Sequence, residues 1–416
     1  STTRIPQYLI QSREFTMSLF HKDIVPRLLQ AEAQFSTLNL TGRIPGPRYE
    51  DFDAVMDRAN KWLETNPDAH LVSCEVVEVD GTYFPPTAAD LEAQLVSVYP
   101  AAGAGMDQKD GLGQGVAAFL RVLRMWYTQE VHNPCQLPSH LRELAYENML
   151  PCRLESTPRA FGPKFQNLTE TMNHLNEQLQ EDENFVNGDI LSIQTCVVRF
   201  SSQHCSIDPD RMFWMAENRE DVHICYYFRV FFIRDRGGNS LINRIGHIGY
   251  NDFPPNYVWR GKRKREVQSD MYTDLVNNAN GWLEKSPNTH VINVQTLDHH
   301  AYFRCARDSP GQESHVLDNP HFRSSLAGLM HFTKVLRLFY YTKADPSIPL
   351  PLYSKVFHVE HCVSCDQVRI GSCHNFTQLP LAAHREVLCK INEWLAHNEV
   401  KTLSVETVKV TTSPTK

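Results

Sequence analysis

One pattern of apolar and polar positions recurs along the chain: an amphipathic helix, a short turn and then an apolar strand. The clearest copy spans 277–296. A close copy lies upstream, where Ala59, Asn60, Trp62, Leu63, Glu64, Pro67 and His70 have the spacing of Ala279, Asn280, Trp282, Leu283, Glu284, Pro287 and His290. Two weaker copies span 175–195 and 391–407. The shared spacing predicts an internal duplication, which changes the meaning of every shared residue.

Apolar residues within these copies follow the i, i+3, i+4, i+7 spacing of one helical face. In the first copy they are Phe52, Val55, Met56, Ala59, Trp62 and Leu63, and in the second Leu168, Met172, Leu175 and Leu179. The strand that follows the third helix alternates Val291, Asn293 and Gln295 with Ile292, Val294 and Thr296. That alternation is expected of a sheet with one face covered by helices.

An apolar, β-rich run with embedded basic residues precedes each copy. Three such runs span 119–127, 227–234 and 332–340, and 15–20 stands where a fourth is due. The predicted unit is therefore strand, connection, helix, strand. Four such units fill the chain, at 1–105, 106–213, 214–318 and 319–416.

A strand-helix-strand crossover is right-handed and places its helix on one face of the sheet. Two consecutive units would form β-α-β-β-α-β, the split βαβ or ferredoxin-like arrangement. We therefore predict an α+β fold. It consists of four tandem strand-helix-strand repeats that pair into two ferredoxin-like layers, with antiparallel-rich sheets and helices on one face.

Residues that most copies share are explained most simply by folding, whereas a catalytic or ligand set should be unique to one copy or lie where copies meet. Trp62, Trp282 and Trp394 are thus predicted to lie in the helix core, and His70 and His290 to make a cap or turn contact. An asparagine stands two residues before each Trp-Leu position, and we expect it to bond a neighbouring backbone group. These residues are Asn60, Asn176, Asn280 and Asn392.

Charge and length exclude some functions. A formal net charge of −7 argues against a general nucleic-acid or anionic-membrane binder, which presents a basic surface. No apolar run approaches the roughly 18 residues that span a bilayer. The eleven Cys are odd in number and not densely spaced, which favours reduced thiols and an intracellular location. Removal of an initiator Met and removal of a signal peptide would each be compatible with Ser1 as the first residue, so secretion stays open as the alternative.

The strongest chemical cluster is confined to the fourth unit. Cys362 and Cys365 have the C-x2-C spacing that grips one tetrahedral Zn²⁺. Cys373 or His374, with His358 or His361, would complete four ligands. The alternatives are a disulfide in an exported protein, or unliganded thiols and imidazoles. We expect no cofactor, with a structural zinc ion as the one exception.

The basic run Arg260–Arg265 is a solvated loop in its simplest interpretation. Lys262–Arg265 also resembles a nuclear-import signal, and Arg260–Arg263 a site for a furin-type protease, which would require secretion. Gly111–Gly115 resembles a phosphate cradle, but such loops need a following helix, and Val116 begins a predicted strand.

His299 and His300 are the best acid-base candidates, because they follow the third-unit strand and His titrates near neutrality. They support an alternative hypothesis, an enzyme acting on a small aromatic or apolar substrate in an inter-unit cleft. The leading hypothesis is a non-enzymatic interaction protein that binds a protein partner or a small apolar ligand in an inter-unit groove. The aromatic residues that would line the groove are Tyr250, Phe253, Tyr257, Trp259 and Phe303.

Overall fold

The structure is a computed structural model. It describes residues 18–30, 48–82, 117–129, 142–154, 163–182, 185–186, 188–201, 207–215, 222–235, 246–255, 257–260, 266–269, 272–301, 321–323, 331–342, 352, 381–397 and 405.

Four helices lie in the described residues: α1 Phe52–Thr65, α2 Leu168–Glu181, α3 Tyr272–Leu283 and α4 Leu381–His397. The first two begin at side chains that satisfy free backbone N–H groups of the first turn. Asp51 accepts from the N–H of Ala54 at 3.0 Å. Asn167 and Glu170 form a capping box, in which each side chain accepts from the other residue's N–H. None of these helices is long and apolar enough to cross a bilayer.

The strands in the described residues are β1 Leu19–Ile24, β2 Leu28–Gln30, β3 Arg48–Tyr49, β4 Ala69–Thr82, β5 Ala117–Gln129, β6 Arg142–Met149, β7 Asp189–Ser201, β8 Phe213–Met215, β9 Val222–Asp235, β10 Ile248–Phe253, β11 Tyr257–Arg260, β12 Glu266–Ser269, β13 Thr289–Ala301, β14 His321–Arg323 and β15 His331–Thr342.

Three antiparallel sheets share one topology, with orders β1-β5-β4, β6-β9-β7 and β10-β15-β13. In each, a short edge strand and a long strand flank a central strand that comes last in the chain. A helix connects the edge strand to the long strand. We call each such set a module: β1-α1-β4-β5, β6-α2-β7-β9 and β10-α3-β13-β15. We use the name last module for the described residues that follow β15, which are Leu352, α4 and Val405; of these, α4 is the element of regular secondary structure.

A short paired segment, which we call the arm, separates edge strand from helix in three modules. It is β2 with β3 in the first module, and β11 with β12 in the third. In the second it is the bridge between Arg153 and Phe165. The arms are therefore a repeated feature that lies outside the main sheets.

The α+β class and the antiparallel sheets confirm the prediction at that level. The pairing of two units into one ferredoxin-like sheet is not confirmed, because each sheet contains strands connected by one helix. β1 also takes the edge position of β6 and β10, rather than the central position expected for 15–20. Central strands pair with the long strand before them, so pairing crosses the predicted limits at 105, 213 and 318. As domain boundaries those limits stay a prediction.

The helices bury their apolar faces against the sheets, and the cores extend from one module into the next. Phe52, Val55 and Ala59 of α1 are fully buried in a cluster that also contains Leu144 and Phe231 of the second module. The cluster around α2 similarly includes residues of the third module. Consecutive modules are thus packed as one body, and the surfaces between them are interior.

Candidate functional site at the joints between modules

The recurring asparagine of each helix binds the edge strand of the next module. Asn176 donates from Nδ2 to the carbonyl of Ile248 at 2.8 Å and accepts from its N–H at 2.8 Å. Asn60 makes the same pair of bonds with Leu144, at 2.9 and 2.9 Å. Asn280 does so with Leu352, at 2.9 and 2.7 Å. The predicted backbone contact is confirmed in these modules, and we call it the asparagine clamp.

A fourth clamp returns from the last module to the first. Asn392 of α4 donates to the carbonyl of Leu19 at 3.1 Å and accepts from its N–H at 2.6 Å. In addition, the hydroxyl of Ser73 in β4 donates to the carbonyl of Val405 at 3.2 Å. The order of contacts is therefore cyclic: α1 binds β6, α2 binds β10, α3 binds Leu352 and α4 binds β1.

Polar side chains of the long strands bind the neighbouring long strand at two alternate positions. Gln194 of β7 donates to the carbonyl of Val76 at 2.9 Å and accepts from its N–H at 2.7 Å. Gln295 of β13 binds Thr195 in the same way, at 3.1 and 2.7 Å.

Ser192 and Asn293 occupy the other position. Ser192 donates to the carbonyl of Cys74 at 2.9 Å, and Asn293 to that of Ile193 at 3.0 Å. The alternation of Asn293 and Gln295 with apolar residues therefore marks an interface between modules rather than a solvent face. Both backbone groups of each partner residue are satisfied, as burial requires.

Each central strand contributes a buried arginine at a matching register position, opposite Asp23, Asn148 or Asp252. Arg337 donates from Nε and Nη2 to both carboxylate oxygens of Asp252 at 2.6 Å, and from Nη1 to the hydroxyl of Thr195 in the second module at 3.0 Å. Its guanidinium carbon lies 4.3 Å from the ring centre of Tyr250. A planar, bidentate group of this kind fixes the geometry of a joint.

In the second module an amide replaces that carboxylate. Arg229 is fully buried, donates to Asn148 Oδ1 at 2.7 Å, and finds its counter-charge in Asp210 at 2.9 Å. The guanidinium carbon lies 3.6 Å from the ring centre of Phe52 in the first module. Arg229 therefore contacts the first module through a cation–π contact, and its ion pair is with Asp210 in the connection between β7 and β9.

An acidic residue and two arginines fill the space between β4, β5 and β7. Arg199 binds both carboxylate oxygens of Glu78 at 2.8 Å. Arg121 lies beside them, 3.6 Å from Glu78, and donates to the carbonyls of Pro209, Arg211 and Val197. Burial alone would raise the pKa of Glu78, but the charge and hydrogen bonds of Arg199, followed by those of Arg121, hold it below its usual value.

Cavities along this first joint are small. One beside Glu78 and Arg199 has a volume of about 10 Å³. Another, beside His70 and Arg142, has a volume of about 30 Å³. A single water needs about 10–15 Å³ measured in this way. These two spaces are large enough for a water molecule and too small for an organic ligand.

The structure places two of the predicted ligand-binding residues in packing contacts, and their role in ligand binding stays a prediction. Tyr250 packs against Phe228 and Phe339, with its hydroxyl 3.3 Å from that of Thr169. Phe253 is buried against Trp282 at a centroid distance of 6.3 Å. Both side chains therefore contribute to the cores that hold the modules together.

The remaining predicted ligand-binding and catalytic residues are described only as backbone or not at all. Tyr257 and Trp259 lie in β11, paired with Ser269 and Val267. Phe303 lies outside the described residues. His299 and His300 lie near the end of β13, opposite 333 and 332 of β15, and their side chains are outside the described part. The proposed convergence of the two imidazoles stays a prediction.

The predicted zinc ligands Cys362, Cys365, Cys373 and His358 also lie outside the described residues, as do residues 261–265 of the basic run. Within the described part of the chain, no group of three His, Cys, Asp or Glu side chains could hold a metal ion. The zinc site is thus neither supported nor opposed.

Sequence reasoning missed the joint arginines and the polar pairs of the long strands. The signal for the arginines was the repeated position of Asp23, Asn148 and Asp252, each shortly before a proline. The role of that repeated position became clear only from the strand register, because only strand pairing shows which arginine lies opposite each of these residues.

Comparisons with models of protein families, with curated proteins and with solved structures gave no match for this chain.

Proposed function

We propose that this chain is a non-enzymatic interaction protein in which a ring of four modules presents its arms to a protein partner. The observation that carries the proposal is an exposed apolar residue at one position of two consecutive arms. Leu29 is 58% exposed and Leu154 is 46% exposed. Both follow the last residue of an edge strand, Ile24 or Met149, at the same distance along the chain.

Single apolar residues on a surface need no explanation, but repetition at one position of a repeated structure does. Among the described residues, Leu29 and Leu154 are the exposed large apolar side chains. A partner that contacts two arms at once gains binding free energy from both, because the ring holds the two arms at a fixed separation. Apolar side chains on a preorganised support are suitable anchors for a protein interface.

The interior of the joints favours a protein partner over a small apolar ligand in an inter-module groove. The asparagine clamps, the glutamine pairs and the buried arginines occupy the joints of the first three modules. The cavities beside Glu78 and His70 reach about 10 and 30 Å³, far below the 300–1,000 Å³ typical of ligand sites.

The proposal includes the origin of the ring. We infer that the four modules are copies of one unit related by pseudo-four-fold symmetry. Each unit is half of a ferredoxin-like arrangement: a split βαβ whose central strand lies between the two strands that its helix connects. In a complete ferredoxin-like arrangement, the other half would form hydrogen bonds with the backbone of the edge strand. Here the asparagine clamp of the neighbouring helix forms hydrogen bonds with that backbone instead.

The test is native mass spectrometry of tagged protein purified from its source, comparing wild type with the double variant Leu29→Ser/Leu154→Ser. Wild type is expected to carry a protein partner that the double variant loses at unchanged thermal midpoint. Asn278→Ala, at an exposed position of α3, is the matched control and should keep the partner. A partner retained by the double variant, or an organic molecule released from wild type on denaturation, would overturn the proposal.

A further inference from the structure

The arm of the second module holds a thiol next to an imidazole. Cys152 is exposed, and its Sγ lies 4.0 Å from Nδ1 of His174 on α2. The backbone of Cys152 is held on both sides by Gln166, whose side chain accepts from its N–H at 3.3 Å and whose N–H donates to its carbonyl at 2.9 Å. The sulfur is therefore both accessible and held in place.

The first module shows what the fold itself requires at these positions. Arg27 stands where the second module has Cys152, and Glu50 holds its backbone as Gln166 does: its side chain accepts from the N–H of Arg27 at 2.9 Å. Arg58 occupies the helix position of His174 and forms an ion pair with Glu50 at 2.9 Å. The arm thus folds without a thiol or an imidazole, so the Cys-His pair is an addition specific to the second module.

The other described cysteines provide a contrast. Cys74, Cys196 and Cys225 are buried in the cores, where desolvation raises the pKa of each thiol, that of Cys225 to about 12. Buried thiols of this kind are inert. Cys389 on α4 is exposed, and no imidazole of the described residues makes a hydrogen bond with its sulfur.

We propose that Cys152 is a modification site for soft electrophiles, with His174 as the base that takes the thiol proton. With an alkylating reagent, the sulfur forms a bond to carbon as the carbon–halogen bond breaks. The halide leaves and the proton passes to Nδ1 of His174. A thiol paired with a nearby base is the general form of an activated nucleophile, and such pairs are often loose before a reagent binds. Gln166 positions the thiol through the backbone of Cys152.

The test is site-resolved alkylation of the folded full chain with iodoacetamide at neutral pH, followed by peptide mass spectrometry. Cys152 is expected to react about tenfold faster than Cys389, since general-base assistance commonly exceeds that factor. The variant His174→Ala should bring the rate at Cys152 to within about twofold of that at Cys389. The rate at Cys389 and the thermal midpoint report whether the variant is folded.

Two results would overturn the proposal: equal rates at Cys152 and Cys389 in wild type, or a rate at Cys152 that His174→Ala leaves unchanged in folded protein. If His174→Ala unfolds, the wild-type rate ratio still decides the matter. The variant Cys152→Ser supplies the baseline, and it should remove the fast-reacting peptide only.

Discussion

The asparagine clamp predicts a large loss of stability from one substitution, Asn176→Ala. Asn176 is buried, and Ile248, whose N–H and carbonyl it binds at 2.8 and 2.8 Å, is fully buried. Alanine leaves both backbone groups without a partner and without access to water. Each such group costs about 1–3 kcal/mol, and the better helix propensity of alanine returns about 0.5 kcal/mol. We expect the free energy of unfolding to fall by about 1.5–5.5 kcal/mol.

Urea denaturation followed by fluorescence measures this change, with Asn278→Ala at an exposed position of α3 as the control. The control should stay within about 0.5 kcal/mol of wild type. The variant Asn176→Asp refines the test, because a carboxylate accepts from the N–H of Ile248 but cannot donate to its carbonyl. A change below about 1 kcal/mol for Asn176→Ala would refute the reasoning, since the clamp would then not satisfy a buried strand edge.

Glu78 and two glycines give the remaining predictions. Burial raises the pKa of Glu78, but Arg199 and Arg121 outweigh it and leave the folded pKa below its usual value. Glu78 therefore stabilises the protein at pH values above the usual pKa of a glutamate. This contribution is lost as the pH falls through the lowered pKa of Glu78 in the folded protein. Thermal melts should accordingly show wild type and Glu78→Gln differing most above about pH 5 and converging in acid. In α3, a Cβ on Gly281 would meet nothing within 4 Å, so Gly281→Ala should stabilise the protein by about 0.5–1 kcal/mol. A Cβ on Gly188 would clash with the backbone carbonyl of Ile233. Gly188→Ala should therefore lower the melting temperature by several degrees, which corresponds to about 1–3 kcal/mol in stability. Equal effects of the two glycine substitutions would contradict both predictions.

The joints between modules explain why this protein carries so many buried polar groups. An apolar joint would pack in several registers, because apolar contacts are not directional. A buried amide or guanidinium is satisfied in one register only, and any slip leaves it unpaired at a cost of about 1–3 kcal/mol. Asn176, Gln295 and Arg337 therefore specify how the second and third modules meet.

The last module contacts the first through hydrogen bonds between residues that are far apart in the chain. Asn392 and Ser73 link the last module to the first through Leu19 and Val405. Gln194 and Gln295 each donate and accept at the corresponding position of other joints, whereas β4 has Glu75 there, and a carboxylate can only accept. Glu75 accepts instead from the indole N–H of Trp126 at 3.0 Å. At this position, β4 therefore carries a side chain that cannot make the pair of bonds that Gln194 and Gln295 make.

Much of the local structure follows from sequence pattern alone. The helical faces of Phe52 to Leu63 and of Leu168 to Leu179 are visible as 3.6-residue periods, because burial on one side of a helix imposes that spacing. The partner contact of the asparagines was also predictable: a polar residue that recurs on an apolar face must be satisfied by something equally recurrent, and backbone is present in every copy.

Tertiary structure alone decided which strands pair and which residues meet. Ferredoxin-like pairing and the observed three-stranded modules use the same helices and strands, and local periodicity does not distinguish the two; only the register that places Arg337 opposite Asp252 does. The pair of Cys152 and His174 is likewise invisible along the chain, since the arm and α2 bring the two together through space. Sequence determined the elements because their patterns reflect burial within each element, whereas the joints and the arm depend on contacts between elements, which no single stretch of chain encodes.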